Sequence, residues 1–214
     1  MADQFGRLCR NGNLEGVQAA LHSGVDVNTT DVAGLPGLFY AVECNHTAVA
    51  RILLAQEGID VNLVNDWGST ALHWAASDEK NSEIVALLIT HPDLRTINQR
   101  DADGCTPLFW AVENNAVKCI GLLLSDPRTD PNIKSIMMGV PPLMRAVWDD
   151  HPDCVQLLME NARTDPNMGD GVLSPLMWAV KLNQVQCVEL LLPDPRLDLS
   201  ERDNFKRSGE EAAR

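Results

Sequence analysis

Hydrophobic and polar positions along the chain recur in one pattern with a period of about 34 residues. Each period contains an apolar segment that ends in alanine, a polar turn, a second apolar segment and an Asp-x-Asn or similar sequence. The final alanines of the first segment are Ala41, Ala75, Ala111, Ala146 and Ala179, spaced 33 to 36 residues apart. Self-similarity at a fixed period of this length is typical of repeat proteins. The sequence therefore predicts a series of copies of one structural unit.

The local sequence predicts two helices in each unit. A hydroxyl residue followed by proline begins the first helix, as at Thr106-Pro107, because the hydroxyl caps free N–H groups and proline at the first helical position loses no hydrogen bond. The second apolar segment, as at 119–124, has the i, i+3, i+4 spacing of a helix with one buried face. The Asp-x-Asn sequence at 130–132 then reverses the chain, since both side chains can bond to nearby backbone. One such unit cannot bury both helices, so the units must stack.

These motifs together resemble the ankyrin repeat, whose pattern combines Thr-Pro-Leu-His-x-Ala, an apolar run and Gly-Ala-Asp-x-Asn. The resemblance implies an all-α solenoid of stacked helix–turn–helix units with projecting loops, forming one domain over 1–214. The expected units are 1–33, 34–67, 68–103, 104–138, 139–171 and 172–203, with a partial C-terminal cap at 204–214. The first and last units are expected to hide the apolar ends of the stack.

Two departures from the family pattern lead to local predictions. The Thr-x-x-His sequence of the family pattern occurs in only one unit, at Thr70 and His73. The other units carry Phe39, Phe109, Met144 and Met177 at that position. We expect those units to replace a local hydrogen bond by apolar packing. An inserted residue at or near Lys80 is expected to lengthen the turn of the third unit, at small cost in free energy.

Aromatic residues recur at one position of the first helix. This position is occupied by Tyr40, Trp74, Trp110, Arg145 and Trp178. In ankyrin repeats it faces the concave side, near the junction with adjacent units. Two interpretations stay open. In one, the rings serve as framework packed between units, and in the other they form, together with the lone cation Arg145, a strip that binds a partner. Trp and Arg are frequent in binding hot spots, so this strip is a candidate site.

The projecting loops carry further candidates. Trp67 lies in one loop, and Trp148 follows the strip on a part of the helix that is usually exposed in the family. Apolar loop tips are expected at Met137, Met138 and Val140, and at Val172 and Leu173. Apolar tips side by side mark contact surfaces, although neighbouring loops could instead pack on each other. The hypothesis is that Trp67, Trp148 and Met138 carry the contact with a partner.

The charge balance argues against several classes of partner. The chain has 17 Lys and Arg residues against 30 Asp and Glu residues, a net charge of −13. Such a surface repels phosphate, so we expect no binding to nucleic acid or to an anionic membrane. No apolar stretch approaches the ~18–20 residues that span a bilayer, and no secretory signal is evident. The expected location is the cytoplasm, the nucleus or both.

We expect no enzyme activity, no cofactor and no metal. The thiols of Cys119, Cys154 and Cys187 occupy equivalent positions in successive units. A metal or redox ladder is one interpretation, and small buried core residues are the other. Packed helices lie about 8–10 Å apart, whereas a disulfide needs Cα atoms within about 7 Å. The spacing therefore favours buried thiols.

The resemblance implies a protein-binding role as an adaptor or scaffold that uses the concave face and loop tips. An alternative is an inhibitor or transcriptional regulator that masks a partner's surface. A catalytic role, and the possibility that the chain is a segment of a longer protein, also stay open. The acidic residues expected around the strip are Glu43, Asp66, Asp78, Asp103, Glu113 and Asp149. They favour a partner with basic groups around an apolar anchor. We expect the chain to bind this partner as a monomer.

Overall fold

In the computed structural model, which describes residues 2–200, the chain forms twelve α-helices. The cap expected at 204–214 lies outside the described residues. The helices are α1 Ala2–Arg10, α2 Leu14–His22, α3 Gly37–Glu43, α4 Thr47–Leu54, α5 Ala71–Ala76, α6 Ser82–Ile89, α7 Pro107–Glu113, α8 Val117–Ser125, α9 Pro142–Trp148, α10 Pro152–Glu160, α11 Pro175–Lys181 and α12 Val185–Leu191. Between residues 2 and 200, β-structure is limited to isolated bridges at Thr30–Pro36 and Val64–Thr70. The predicted all-α fold is confirmed.

The helices form two layers, called here the inner helices, which are the odd-numbered ones, and the outer helices, which are the even-numbered ones. The odd-numbered helices pack against one another in sequence, from α1 to α11, and the even-numbered helices do the same from α2 to α12. The main hydrophobic core runs between the layers along the stack, and includes Leu53, Leu88 and Leu123. Each unit therefore buries its apolar faces against its neighbours, as the repeat pattern predicts.

Helices α5, α7 and α11 begin with the hydroxyl cap that the sequence predicts, whereas Pro36 and Pro141 precede α3 and α9 without a side-chain cap. The Thr106 side chain accepts a hydrogen bond from the backbone N–H of Phe109 at 3.2 Å, and Ser174 accepts one from Met177 at 3.5 Å. Thr70 and His73 form a reciprocal capping box at the start of α5. These bonds satisfy donors that a helix leaves free at its first turn.

His73 is the one buried imidazole of residues 2–200, and it joins two units. Its Nδ1 accepts the backbone N–H of Thr70 at 3.0 Å, and its Nε2 lies 3.2 Å from the carbonyl oxygen of Cys105 in the next unit. This geometry requires a neutral ring with the proton on Nε2. Burial lowers the pKa of His73 to about 4. Phe39, Phe109, Met144 and Met177 are buried at the equivalent position, so the predicted exchange for apolar packing is confirmed.

The turns between paired helices use left-handed residues. Asn45, Asn115, Asp150 and Asn183 have φ between 53° and 58°. Asn and Asp tolerate this conformation better than most residues. The third unit instead forms a short 3-10 helix at Glu79–Asn81, where the sequence predicts an insertion near Lys80.

A ladder of asparagines links successive units. The Asp130 carboxylate accepts the backbone N–H of Asn132 at 2.9 Å, which is the local bond that the Asp-x-Asn sequence predicts. The Asn132 side chain reaches farther, donating to the Arg163 carbonyl at 2.8 Å and accepting from the Asp165 N–H at 2.8 Å. Asn28, Asn62, Asn98 and Asn167 make corresponding bonds to the next unit. The asparagine therefore fixes the spacing between units.

The cysteines at equivalent positions are core residues. Cys119, Cys154 and Cys187 are fully buried free thiols. Burial raises the pKa of Cys119 and Cys154 to about 12 and that of Cys187 to about 11. The predicted role of these residues in packing is confirmed.

Candidate functional site

Five loops, called fingers here, project beside the inner helices. They comprise residues 30–36, 64–70, 100–106, 134–141 and 169–174, numbered fingers 1 to 5 in chain order. Gly34, Gly68 and Gly104 take the left-handed conformation, with φ between 72° and 74°, where each of the first three fingers turns. Glycine adopts this backbone conformation without steric cost.

In α3, α7 and α11, the aromatic residue at the strip position is tied to its own finger by a carboxylate. The Trp110 indole N–H donates to the Asp101 carboxylate at 2.8 Å, and the Trp178 indole N–H donates to Asp170 at 2.8 Å. The Tyr40 hydroxyl donates to Asp31 in the same way. Burial, followed by the bond to Asp31, raises the pKa of Tyr40 to about 12. The finger carboxylate therefore fixes the orientation of the ring.

The Asp170 carboxylate shows how hydrogen bonds within a finger stabilise the ionised form of its carboxyl group. Burial on its own would raise the pKa of Asp170, but hydrogen bonds from the backbone N–H groups of Leu173 and Val172 and from Trp178 outweigh it. The pKa of Asp170 is consequently lower than usual, and the group stays ionised while it anchors the ring.

Unit 3 departs from this pattern. Asn65 occupies the place of the finger carboxylate, and the Trp74 indole N–H donates to the Ser69 hydroxyl at 3.2 Å. Edge-to-face contacts also place these rings between units: Phe39 lies 5.4 Å from Trp74, between ring centroids. The rings of Trp74, Trp110 and Trp178 are half-buried, so they belong to the framework and still reach the surface.

Three of the predicted site residues lie together. Trp67 on finger 2 is 65% exposed. With Trp74 and Trp110 it lines a surface pocket of about 410 Å³ between fingers 2 and 3. The remaining lining residues are Ser69, Asp101, Ala102 and Asp103. The backbone N–H of Ala102 donates to the Trp67 carbonyl at 2.8 Å and joins the two fingers.

Finger 4, the next finger along the stack, carries an exposed apolar surface. Ile136 is 69% exposed, Met137 73% and Met138 37%. The backbone N–H of Ile136 donates to the Asp103 carbonyl at 2.9 Å, so finger 4 is joined to finger 3. Ile136 is absent from the candidates that the sequence suggested. Its position in the uncharged run 136–144 was the available signal.

Arg145 is not the lone cation that the sequence predicts. Its guanidinium pairs with Glu113 at 3.2 Å and with Asp149 at 2.5 Å, and it lies 3.0 Å from the Met138 sulfur. The side chain is only 18% exposed. Two neighbouring carboxylates therefore balance its charge.

Two other cations lie on the strip. Arg10 lies over the Tyr40 ring at 4.6 Å, and Lys181 lies over the Trp178 ring at 4.1 Å, measured to the ring centroids. Neither residue is among the candidates that the sequence suggested. The three-residue spacing of Trp178 and Lys181 on one helix was a usable signal, whereas Arg10 comes from the preceding unit.

Two expectations about exposure are wrong. Trp148 is half-buried rather than exposed, because its ring packs edge-to-face on Trp178 at 5.7 Å and its indole nitrogen is inaccessible to solvent. Val140 is fully buried with Phe109 and Met144 rather than at a loop tip. The bond from Ser135 N–H to the Val140 carbonyl at 3.0 Å joins the two ends of finger 4, so Val140 lies at the base of the finger rather than at its tip. At the other expected tip, Val172 is exposed and Leu173 is half-buried.

Residues 2–200 show neither a metal-binding cluster nor a membrane-spanning helix. Residues 2–200 contain no group of three or more His, Cys, Asp or Glu side chains arranged to hold a metal ion. None of the helices in this range is long and apolar enough to cross a lipid bilayer.

Comparisons with known proteins agree with the repeat architecture. A family model of ankyrin repeats, covering three copies, matches residues 6–97, 38–135, 77–170 and 128–203. A 122-residue segment is 29% identical to ankyrin repeat protein nuc-2 of Neurospora crassa, covering 56% of this chain and 11% of that protein. A 117-residue segment is 32% identical to the phosphocholine transferase AnkX of Legionella pneumophila, covering 53% of this chain and 12% of that protein. The aligned segments thus span about a tenth of these relatives.

Solved structures show the same fold. The ankyrin repeat domain of Bcl-3, a member of the IκB protein family, superposes with a TM-score of 0.84 at 23% identity, covering 98% of this chain and 93% of that one. The human ASB11 ankyrin repeat domain gives a TM-score of 0.77 at 24% identity, covering 98% and 91%.

Proposed function

The chain belongs to the ankyrin repeat family, and from this premise we propose that it binds a partner protein through its fingers and inner helices without catalysing a reaction. Ankyrin repeat domains are in general protein–protein interaction modules. AnkX is named for a transferase activity, but its similarity to this chain is confined to 12% of its length. That activity therefore gives no reason to propose catalysis by these residues.

The exposed apolar residues of neighbouring fingers carry this proposal. We call Trp67, Ile136, Met137 and Met138 the finger-tip surface. Exposed apolar patches of this kind mark contact surfaces, and methionine side chains adapt to irregular partners. Hydrogen bonds between fingers 2, 3 and 4 hold the backbone beneath these side chains. A partner therefore meets a preorganised surface, which lowers the entropic cost of binding.

The charges around the finger-tip surface favour a basic partner. Asp66 and Asp103 are exposed on fingers 2 and 3. The nearby cation Arg145 is already paired with Glu113 and Asp149. Combined with the net charge of −13, this arrangement supports a partner with basic groups around an apolar anchor. Such complementarity mainly increases the association rate and the specificity.

An adaptor or scaffold is the role we favour, and a masking inhibitor or transcriptional regulator is the alternative. Both roles would use the same surface, and they differ in the partner that is bound. The likeness to Bcl-3, at 23% identity, concerns the fold alone and favours neither role. We propose action in the cytoplasm, the nucleus or both, where the free thiols would stay reduced.

The test replaces the most exposed apolar side chains of the finger-tip surface. In the variant W67A/I136A/M137A we expect the affinity for the partner to fall by about 2 kcal/mol or more, a loss of roughly thirtyfold. Wild type and variant would serve as baits in quantitative affinity capture from the source cells. A binding titration with each captured protein would then measure the loss.

The control is the variant L14A/V185A. It removes exposed apolar side chains from the outer helices α2 and α12, away from the fingers. We expect it to bind like the wild type. Trp148 is left unchanged in both variants because it packs on Trp178. Equal capture and equal affinity for the wild type and the finger-tip variant would reject the proposal.

A further inference from the structure

The aromatic rings at the two ends of the strip are covered by cations, whereas within residues 2–200 the rings of Trp74 and Trp110 in its middle are not. Arg10 covers Tyr40 and Lys181 covers Trp178. Among residues 2–200, no Lys or Arg lies over the rings of Trp74 or Trp110. These two rings, with the exposed Trp67, line the pocket between fingers 2 and 3. The central aromatic surface is thus left open to solvent.

The helix sequence explains this difference. Lys181 is the last residue of α11, three positions after Trp178. Glu113 is the last residue of α7, three positions after Trp110. The residue three positions after Trp74 is Ser77. Neither central unit therefore supplies a cation from the helix position that Lys181 uses.

The pocket also carries negative charge. One oxygen of Asp101 accepts the backbone N–H groups of Asp103 at 3.0 Å and Cys105 at 2.8 Å, and the other accepts the Trp110 indole at 2.8 Å. This carboxylate is fixed in place. The Asp103 carboxylate is exposed and forms no hydrogen bond or ion pair with any residue of 2–200. It remains available to an incoming cation.

We infer that this pocket receives an arginine side chain of the partner protein, an inference that rests on the proposed function. A guanidinium is planar, stacks on aromatic faces and pairs with a carboxylate through two parallel hydrogen bonds. The tryptophan walls and the Asp103 carboxylate offer both contacts. A purely apolar occupant would cover Asp103 without pairing it, which is unfavourable.

The walls of the pocket are already in place. Trp110 is held by Asp101 and Trp74 by Ser69. The bond from Ala102 N–H to the Trp67 carbonyl joins fingers 2 and 3 across the pocket. Binding therefore requires little rearrangement of the protein, which favours capture of a single side chain.

The test uses N-acetyl-arginine amide as the probe and N-acetyl-citrulline amide as its uncharged analogue. Each of the five indole N–H groups gives its own NMR signal. We expect saturable shifts for Trp67, Trp74 and Trp110, and affinity at least about tenfold lower for the citrulline probe. The signals of Trp148 and Trp178 serve as internal references. Equal affinity for the two probes, or no saturable shift at the three tryptophans, would overturn the inference.

Two matched substitutions test whether the Asp103 carboxylate is the group that pairs with the arginine probe. Asp103→Asn should weaken binding of the arginine probe by about three- to tenfold. Asp93→Asn removes the same charge from an exposed residue after α6 that lies outside the fingers and does not line the pocket, and it should leave the affinity unchanged. If both variants lose affinity equally, the effect comes from net charge and the assignment of Asp103 is wrong.

These outcomes separate the inference from the proposed function. If W67A/I136A/M137A loses the partner while the arginine probe causes no shift, the finger-tip surface binds protein and the arginine pocket is rejected. If the probe binds and W67A/I136A/M137A still captures its partner with unchanged affinity, the pocket binds arginine but the finger-tip surface is rejected as the protein-binding site.

Discussion

At the scale of single residues, His73 shows how burial selects a protonation state. Its Nδ1 accepts the Thr70 N–H and its Nε2 reaches the Cys105 carbonyl. A protonated ring would present a second N–H to the Thr70 donor inside the stack. The Phe39 and Phe109 rings at the equivalent position have no such requirement.

The first prediction concerns pH. The pKa of His73 is about 4 in the folded protein and about 6.5 in the unfolded chain. Between these values the unfolded state binds the proton and the folded state does not. The free energy of unfolding should therefore fall as the pH drops from about 6.5 to about 4, by roughly 3 kcal/mol from this residue. Urea unfolding across this range measures the loss.

His73→Phe is the matched control, because phenylalanine occupies this position in units 2 and 4. Its stability should vary less with pH in that window. The carboxylates with lowered pKa, including Asp31 and Asp170, contribute to a loss mainly below about pH 4. An equal pH dependence in wild type and H73F would contradict the assignment to His73.

At the scale of the elements, arginines clasp the ends of the outer helices. Arg163 donates to the carbonyls of Leu124 at 2.9 Å and Pro127 at 2.8 Å, at the end of α8 and just after it. The last carbonyls of a helix have no donor within the helix, and a cation is favourable at this end of the dipole. Arg128 and Arg196 make corresponding bonds to the ends of α6 and α10.

The second prediction compares Arg163 with Arg95, an arginine in the corresponding loop of the third unit. Arg163→Met should lower the free energy of unfolding by about 2 kcal/mol, since it removes charged hydrogen bonds between units. Arg95→Met should cost less than about 0.5 kcal/mol, because the Arg95 guanidinium is exposed and makes no hydrogen bond within residues 2–200. Chemical denaturation measures both. Equal costs would show that the clasp does not contribute to stability.

At the scale of the whole molecule, stacking and charge act together. The units share one core and are joined by the asparagine ladder and the arginine clasps. The net charge of −13 makes copies of the chain repel one another. The finger-tip surface is the main apolar feature that would favour self-association.

The third prediction is that the protein is a monomer. Light scattering after size-exclusion chromatography should give a mass near 23.5 kDa, independent of concentration. The repulsion of like-charged copies is the physical reason. A dimer that dissociates in W67A/I136A/M137A would instead assign the finger-tip surface to self-recognition.

Much of the candidate site was predictable because the repeat places equivalent residues at equivalent positions. The register of Trp74 and Trp110 on the inner helices and the place of Trp67 on a finger follow from the period. Their convergence on one pocket with Asp103 does not. It depends on bonds between fingers, which involve residues more than 30 positions apart.

The sequence by itself determined the unit, its two helices, the capped helix starts and the buried stripe of cysteines, because these features depend on residues a few positions apart. Only the tertiary structure decided that Trp148 and Val140 are covered, that Arg145 is paired and that Arg10 and Lys181 cover two rings. Exposure and charge pairing depend on side chains that neighbouring units bring together. A linear period specifies that those units stack but not which side chains meet.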